Sequence, residues 1–213
     1  MKTIVLLLSI VLLAVTVRGA IVYDNLGAGG TYDQQTGYGI LQGTSNFAGM
    51  AAQFSAGTSG FLDTIDLGLT FFHAMPVNVY LDRNNGPVPS NNPTFLGSGT
   101  PTAVFGTSND SLVSLKVVGN VPVTIGTTYW LVLESTVANP GNDFWNLSSP
   151  AATGLVSFSF NSGGFSLGVS QTSPAFRITA RPVPEPDGSI LLLLGLLAAL
   201  FVSKKTFSRE GRV

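Results

Sequence analysis

At 213 residues the chain has room for one domain of ordinary size with additional segments. Only 10% of its residues are charged, 45% are hydrophobic and the formal net charge is −1, which excludes an intrinsically disordered chain and leaves none of the basic excess that neutralises nucleic-acid phosphates. It has no cysteine and a single histidine, His73, which excludes disulfides, thiolate metal sites and histidine clusters.

The chain begins Met1-Lys2, runs through an uncharged, largely apolar stretch over residues 4–17, and continues Arg18-Gly19-Ala20. A basic start, a short apolar core and small residues after it predict a secretory signal peptide over residues 1–19. Cleavage after Gly19 places Val17 and Gly19 at the two small-residue positions. The apolar run is short for a membrane span.

Residues 20–182 carry the basic residues Arg83, Lys116, Arg177 and Arg181 against eight acidic ones, so this part is mildly acidic. Its dominant pattern is a period of two. Ile65, Leu67, Leu69 and Phe71 alternate with Thr64, Asp66, Gly68 and Thr70. The same holds for Val77, Val79 and Leu81, for Val113, Leu115 and Val117, for Val156, Phe158 and Phe160, and for Phe176 and Ile178. Such alternation predicts strands with one face on a core and one on water. In Thr128 to Glu134 both faces are apolar, Tyr129, Leu131 and Leu133 on one and Trp130 and Val132 on the other. That predicts a central strand or one covered by a loop. Turn chemistry separates the strands at Asn84-Asn85-Gly86-Pro87, Gly119-Asn120, Gly126-Thr127 and Asn161-Ser162-Gly163-Gly164, the last read as a hairpin loop. Residues 27–43, rich in Gly, Tyr and Gln, read as a flexible surface loop, and Gly27-Ala28-Gly29-Gly30 lacks the lysine and strand-to-helix switch of a phosphate loop. No helical period and no internal repeat is evident. The expected fold is all-β, an antiparallel two-sheet β-sandwich of jelly-roll type.

After the domain, Val183-Pro184-Glu185-Pro186 leads into an apolar helix predicted over residues 188–203 and a basic tail over 204–213. The purely apolar part, residues 190–202, spans about 20 Å as a helix, a marginal membrane span that Gly188 and Ser189 extend. Lys204 and Lys205 act as the anchor stop, and the positive residues after the run predict a cytoplasmic end.

This ordered tail resembles the PEP-CTERM sorting signal of Gram-negative bacteria, a motif also labelled an ice-binding protein C-terminal domain. The resemblance covers residues 183–213 and departs from the usual adjacent arginines by opening its basic cluster with lysines. It implies recognition by an exosortase, a membrane transpeptidase. It also implies transient anchoring by the C-terminal helix, processing near Pro184-Glu185-Pro186, and delivery to the cell surface or matrix in an exopolysaccharide and biofilm context. The wording of the domain, Tyr23-Asp24-Asn25-Leu26, Val79-Tyr80-Leu81-Asp82-Arg83, Thr128-Tyr129-Trp130-Leu131-Val132 and Ala175-Phe176-Arg177-Ile178, is similar to that of the choice-of-anchor ectodomains. That resemblance implies a β-sandwich and no established reaction.

Candidate sites within the domain are few. Asp82 and Asn84, followed by Gly86, have the alternating oxygens of a Ca²⁺ loop, but the distal bidentate glutamate is missing. An Asx turn explains the same residues. Acid and base carboxylates for sugar cleavage are not marked as a pair among Asp63, Asp66, Asp82, Glu134 and Asp143. His73 has no nucleophile-elbow serine to serve. Trp130, Asp143, Trp145 and Asn146 combine rings with amide and carboxylate groups, the chemistry that stacks on sugars and bonds their hydroxyls, so they are the candidate glycan contacts. The alternative for the same aromatic residues is core packing. No cofactor is implied. The expectation is an exported, non-catalytic surface or matrix protein, with a carbohydrate-binding or carbohydrate-active envelope protein as the second reading.

Overall fold

In the computed structural model, residues 19–40, 49–72, 75–83, 86–90, 92–107, 111–136, 143–159 and 164–182 are described. The expected signal peptide up to residue 18, the expected sorting motif at residues 183–186, the apolar run, Lys204, Lys205, His73 and Asn84 lie outside these residues. A compact unit of the chain ends at Arg181. No helix among the described residues is long and apolar enough to cross a membrane.

The fold is all-β. Among the described residues fifteen strands follow in order: β1 (Ala20–Asp24), β2 (Tyr32–Ile40), β3 (Gly49–Ser55), β4 (Gly60–Leu67), β5 (Leu69–Phe71), β6 (Val77–Asp82), β7 (Thr94–Gly99), β8 (Ala103–Val104), β9 (Val113–Lys116), β10 (Pro122–Val123), β11 (Thr128–Ser135), β12 (Asp143–Ser148), β13 (Thr153–Phe158), β14 (Val169–Thr172) and β15 (Phe176–Arg181). They form three sheets rather than the two expected. The first has the order β1-β15-β4-β10, with β9 also on β4; the second is β14-β13-β3-β11-β6-β7; the third is β2-β12-β5-β8. All pairings are antiparallel except the two-residue contact of β5 with β8.

The alternating residues place the core. Leu62, Ile65 and Leu67 of β4, Val113 and Leu115 of β9, and Phe176 and Ile178 of β15 are buried from the first sheet. Met50, Ala52, Phe54, Val77, Val79, Leu81, Leu131, Leu133 and Val156 meet them from the second in the same cluster. Strand β11 is central, between β3 and β6. Its other face, Trp130 and Val132 with Ala51, forms a separate buried cluster against Tyr80, Leu155 and Phe165. Both readings of its doubly apolar pattern therefore hold: the strand is central, and Gly86, Phe165 and Gly168 of the connecting segments lie against its outer face.

The third sheet was hidden by a change of neighbour inside one extended run. At Gly68 the backbone N–H donates to Ala175 O at 3.0 Å, while Gly68 O accepts from Asn146 N–H at 2.9 Å. The chain thus leaves β15 and joins β12 without turning. A Cβ at Gly68 would sit 2.9 Å from the Tyr32 ring, closer than side-chain atoms approach, so only glycine fits this handover. The segment expected as a flexible loop is largely β2, which pairs with β12 through Asp143↔Ile40 and Trp145↔Tyr38. Its Gly37 allows close packing: a Cβ there would lie 3.0 Å from Trp145 O. Where glycine supplies approach rather than freedom, hydrophobic alternation disappears from the sequence although the strand remains.

Chain entry and exit share one end of the first sheet. Ala20 is the register partner of Ala180 and Phe61 of Arg181. Leu67 and Phe176 lie at the opposite end, and the third sheet continues from there.

Candidate functional site

Both indoles are withdrawn from solvent, which corrects their reading as glycan contacts. Trp130 is fully buried, and its Nε1–H donates to Gly86 O at 3.2 Å. Trp145 is fully buried on the core side of β12, donates to Ala175 O at 3.1 Å, and lies 5.5 Å from the Phe176 ring. Each large ring fills the interior, and each polar N–H is met by a carbonyl, as burial of an indole requires.

Asn146 is likewise buried and spent on structure. Its Nδ2 donates to Asp33 O at 3.0 Å and Thr36 O at 3.3 Å. Its Oδ1 accepts from the Thr70 hydroxyl at 2.7 Å. It therefore clamps the Asp33–Thr36 arch of β2 onto β12 and β5. The arch is closed from inside by Asp33, whose Oδ1 accepts from Gln35 N–H and whose Oδ2 accepts from the Thr36 hydroxyl. That bond holds the Asp33 carboxyl below its usual range.

Asp143 opens β12 and is 2% exposed. Its Oδ1 accepts a long bond from Met75 N–H at 3.4 Å. Burial pushes its carboxyl up to about 6, and the Met75 bond opposes this only in part. It cannot serve as a solvent-facing sugar ligand.

The remaining acidic candidates lie on three strands, Asp63 and Asp66 on β4, Asp82 on β6 and Glu134 on β11. Asp63 is met by Lys116 Nζ at 2.7 Å and Arg181 Nε at 3.3 Å, and the Lys116 ammonium holds its carboxyl below the usual range. Arg177 Nε pairs with Asp24 at 2.8 Å. Glu134 Oε2 accepts from the Tyr80 hydroxyl at 3.0 Å. Asp82 accepts from both the N–H and the hydroxyl of Ser90, eight residues on, so both of its oxygens are engaged within the protein by a contact longer in range than an Asx turn. Among the described residues no three of His, Cys, Asp and Glu gather in a way that could hold a metal ion.

The aromatic surface lies elsewhere, on the outer face of the third sheet. Phe144 faces away from Trp145 by strand parity, and its ring lies 4.3 Å from that of Phe105 and 5.2 Å from that of Phe72. Phe72 and Phe105 meet edge to face at 5.3 Å. Phe72 is 54% exposed, and the adjacent Val104 is also exposed. Gly39, the register partner of Phe144, puts no side chain beside its ring. Two residues along β12, Asn146 holds the arch on which Gln35 and Thr36 are exposed.

The signal for this cluster was present in the sequence. Phe72 follows the core-facing parity of Leu67, Leu69 and Phe71, and Phe144 precedes a buried Trp, so both fall on the polar parity of their strands. Phe105 could not be placed from sequence, because it joins them only through the pairing of β8 with β5.

No protein-family model matches the chain, and no curated protein matches it either.

Proposed function

We propose that the chain is an exported, non-catalytic surface or matrix protein whose C-terminal segment is recognised and processed by an exosortase-type transpeptidase. The observation that carries this reading is the order of the tail. Val183-Pro184-Glu185-Pro186, the apolar run over 188–203 and the basic residues from Lys204 onward occur in sequence after a domain that ends at residue 182. The apolar run anchors the chain until processing, and residues 1–19 direct export across the inner membrane. The domain is a β-sandwich ectodomain of jelly-roll type, a reading favoured by one core shared between two larger sheets. Its place of action is the cell surface or the exopolysaccharide matrix, and nucleic acid is not a partner.

The test replaces Pro184, Glu185 and Pro186 together with alanine in the full-length chain and follows its mass and location. The expected outcome is retention of the unprocessed form in the membrane. Unchanged mass and unchanged surface delivery would sink the sorting reading. The carbohydrate-binding reading is favoured by the exposed phenylalanine cluster. For the carbohydrate-active one, the candidate carboxylates are divided between three sheets, Asp63 and Asp66 on β4, Asp82 and Glu134 on β6 and β11, and the buried Asp143 on β12.

A further inference from the structure

We propose that residues 116–125, with Arg83 and Arg181 bonded to them, form a contact surface for an anionic phospholipid bilayer. The proposal rests on the membrane-anchoring part of the reading above and adds a second hold, made by the domain itself.

The segment has two faces. Leu115, Val117, Val121 and Val123 are buried in the core, while Lys116, Val118, Asn120, Pro122 and Thr124 are exposed. Its backbone is fixed along its length: Val117 N–H donates to Asp63 O at 2.9 Å, Val121 O accepts from Leu62 N–H at 2.9 Å, and Ile125 N–H donates to the Ser59 hydroxyl at 2.9 Å. Two aliphatic side chains on the outer face, Val118 and Ile125, are each 62% exposed. They precede Gly119 and Gly126, whose φ values of +81° and +75° turn the chain, and a Cβ added at either glycine would meet nothing within 4 Å. Turns of this kind ordinarily carry polar residues, and here each presents an aliphatic one.

Three of the four cations of residues 20–182 converge on this segment. Lys116 belongs to it, Arg181 Nη2 donates to Asn120 Oδ1 at 3.2 Å, and Arg83 Nη2 donates to Pro122 O at 3.4 Å. Among the described residues the acid paired with them is Asp63, which meets both Lys116 and Arg181 and has a side chain only 16% exposed. Asp82, next to Arg83, is buried and bonded to Ser90. The fourth cation, Arg177, pairs with Asp24 at the other end of the sheet. Three cations thus share one carboxylate beside two exposed aliphatic groups.

Two arguments select a bilayer. Aliphatic side chains enter the headgroup boundary while Lys and Arg stay with the phosphates, the chemistry of an interfacial membrane contact, and each cation near an anionic surface adds to the attraction. An acidic polysaccharide would answer the charge and leave Val118 and Ile125 in water. The second argument is the tether. Arg181 is followed seven residues later by Gly188, where the apolar segment begins, a separation of at most about 25 Å of extended chain. A tether this short holds a weak contact at an effective concentration on the order of millimolar, so a small surface suffices. The linker itself carries Glu185 and Asp187, so attraction to anionic lipid has to come from the cations on residues 116–125 and not from the tether.

The experiment reconstitutes the full-length chain into vesicles of phosphatidylcholine with or without phosphatidylglycerol, with a nitroxide on a lipid headgroup as quencher. The chain has no cysteine, so Thr124→Cys and Val104→Cys each place a single fluorophore, the second on β8 of the third sheet. The label at 124 should be quenched about twofold more strongly in anionic than in neutral vesicles, and raised salt should remove the difference. The label at 104 should show no such difference. In the chain labelled at 124, Val118→Ser with Ile125→Ser, or Arg83→Gln with Lys116→Gln, should abolish the excess quenching. The proposal is overturned if the label at 124 is quenched equally in both vesicles, which would make the tether alone responsible, or if neither pair of substitutions reduces the excess. It is also overturned if the chain in detergent is a dimer that Val118→Ser with Ile125→Ser converts to a monomer, which would make this surface a contact between copies. Flotation of the same chain with neutral vesicles in high salt reports the anchor separately. Flotation without excess quenching defeats this proposal alone, and excess quenching on anionic vesicles without salt-resistant flotation defeats the anchoring reading alone.

Discussion

Asp143 shows how burial alone converts a side chain from candidate ligand into a source of pH dependence. With its carboxyl pushed up to about 6, the folded protein takes up a proton there that the unfolded chain releases near pH 4. The stabilising contribution is therefore complete below pH 4 and lost as pH rises through 6. The ionised group then costs stability at neutral pH, by up to about 3 kcal/mol for a shift of this size. Asp143→Asn retains an acceptor for Met75 N–H without the charge. Urea unfolding between pH 4.5 and 7.5 should show the parent losing stability across this window and the variant nearly flat; equal slopes would contradict the assignment. Asp33 and Asp63, whose carboxyls are held low, act in the opposite sense, their contributions being lost as pH falls below 4. Asn146 is the counterpart in polar satisfaction. Asn146→Leu leaves the Thr70 hydroxyl and two arch carbonyls without partners, and a loss of about 2–4 kcal/mol is expected in the same denaturant assay. The sequence offered both residues as polar groups beside aromatics, a pattern shared by sugar sites and by buried clamps. Which of the two applies depends on what covers them.

Among the elements, β14 carries a hazard and its remedy. Val169–Thr172 contains no charge, no proline and no bulge, and it ends the six-stranded sheet, features that invite pairing with another strand. Ser173 N–H bonds to Ala152 O at 2.6 Å, so by alternation the backbone groups of Gly168, Ser170 and Thr172 face outward. Two of these are already taken. Gly168 N–H donates to Pro87 O at 2.9 Å, and Thr172 O lies 3.0 Å from the Tyr38 hydroxyl, which is also 2.8 Å from Gln171 Oε1. An incoming strand would have to displace both. Tyr38→Phe removes one cap. A loss of about 1 kcal/mol and concentration-dependent self-association by light scattering are expected, and a variant that stays as monodisperse as the parent would refute the capping role. Strand existence was legible wherever apolar residues alternated, as in β4, β6, β9 and β15. It was illegible in β2, where glycines carry the pairing, and in β5, where one apolar run crosses from one sheet to another.

On the scale of the whole molecule, the last strand completes the first sheet. β15 lies between β1 and β4 and pairs with both. The sheet therefore cannot close until the chain has been supplied almost to residue 181, and contacts of such long sequence separation form late. A chain ending at Pro182 should unfold in one cooperative transition in urea. A chain ending at Ser173 should lose cooperativity and near-ultraviolet dichroism, because Ile65, Val22 and Phe54 lose the cover of Phe176 and Ile178. Retained cooperativity in the shorter chain would contradict the closing role of β15.

By itself the sequence determined the all-β character and the core-facing residues of β4, β6, β9, β11 and β15, because alternation with period two reports on one face at a time and needs no knowledge of the partner. The tertiary structure alone decided the number of sheets, the burial of Trp130, Trp145 and Asn146, and the gathering of Phe72, Phe105 and Phe144 on one surface. Those depend on which strands become neighbours and which connections lie over their outer faces, and partners 30 to 113 positions apart have no local pattern that records their meeting.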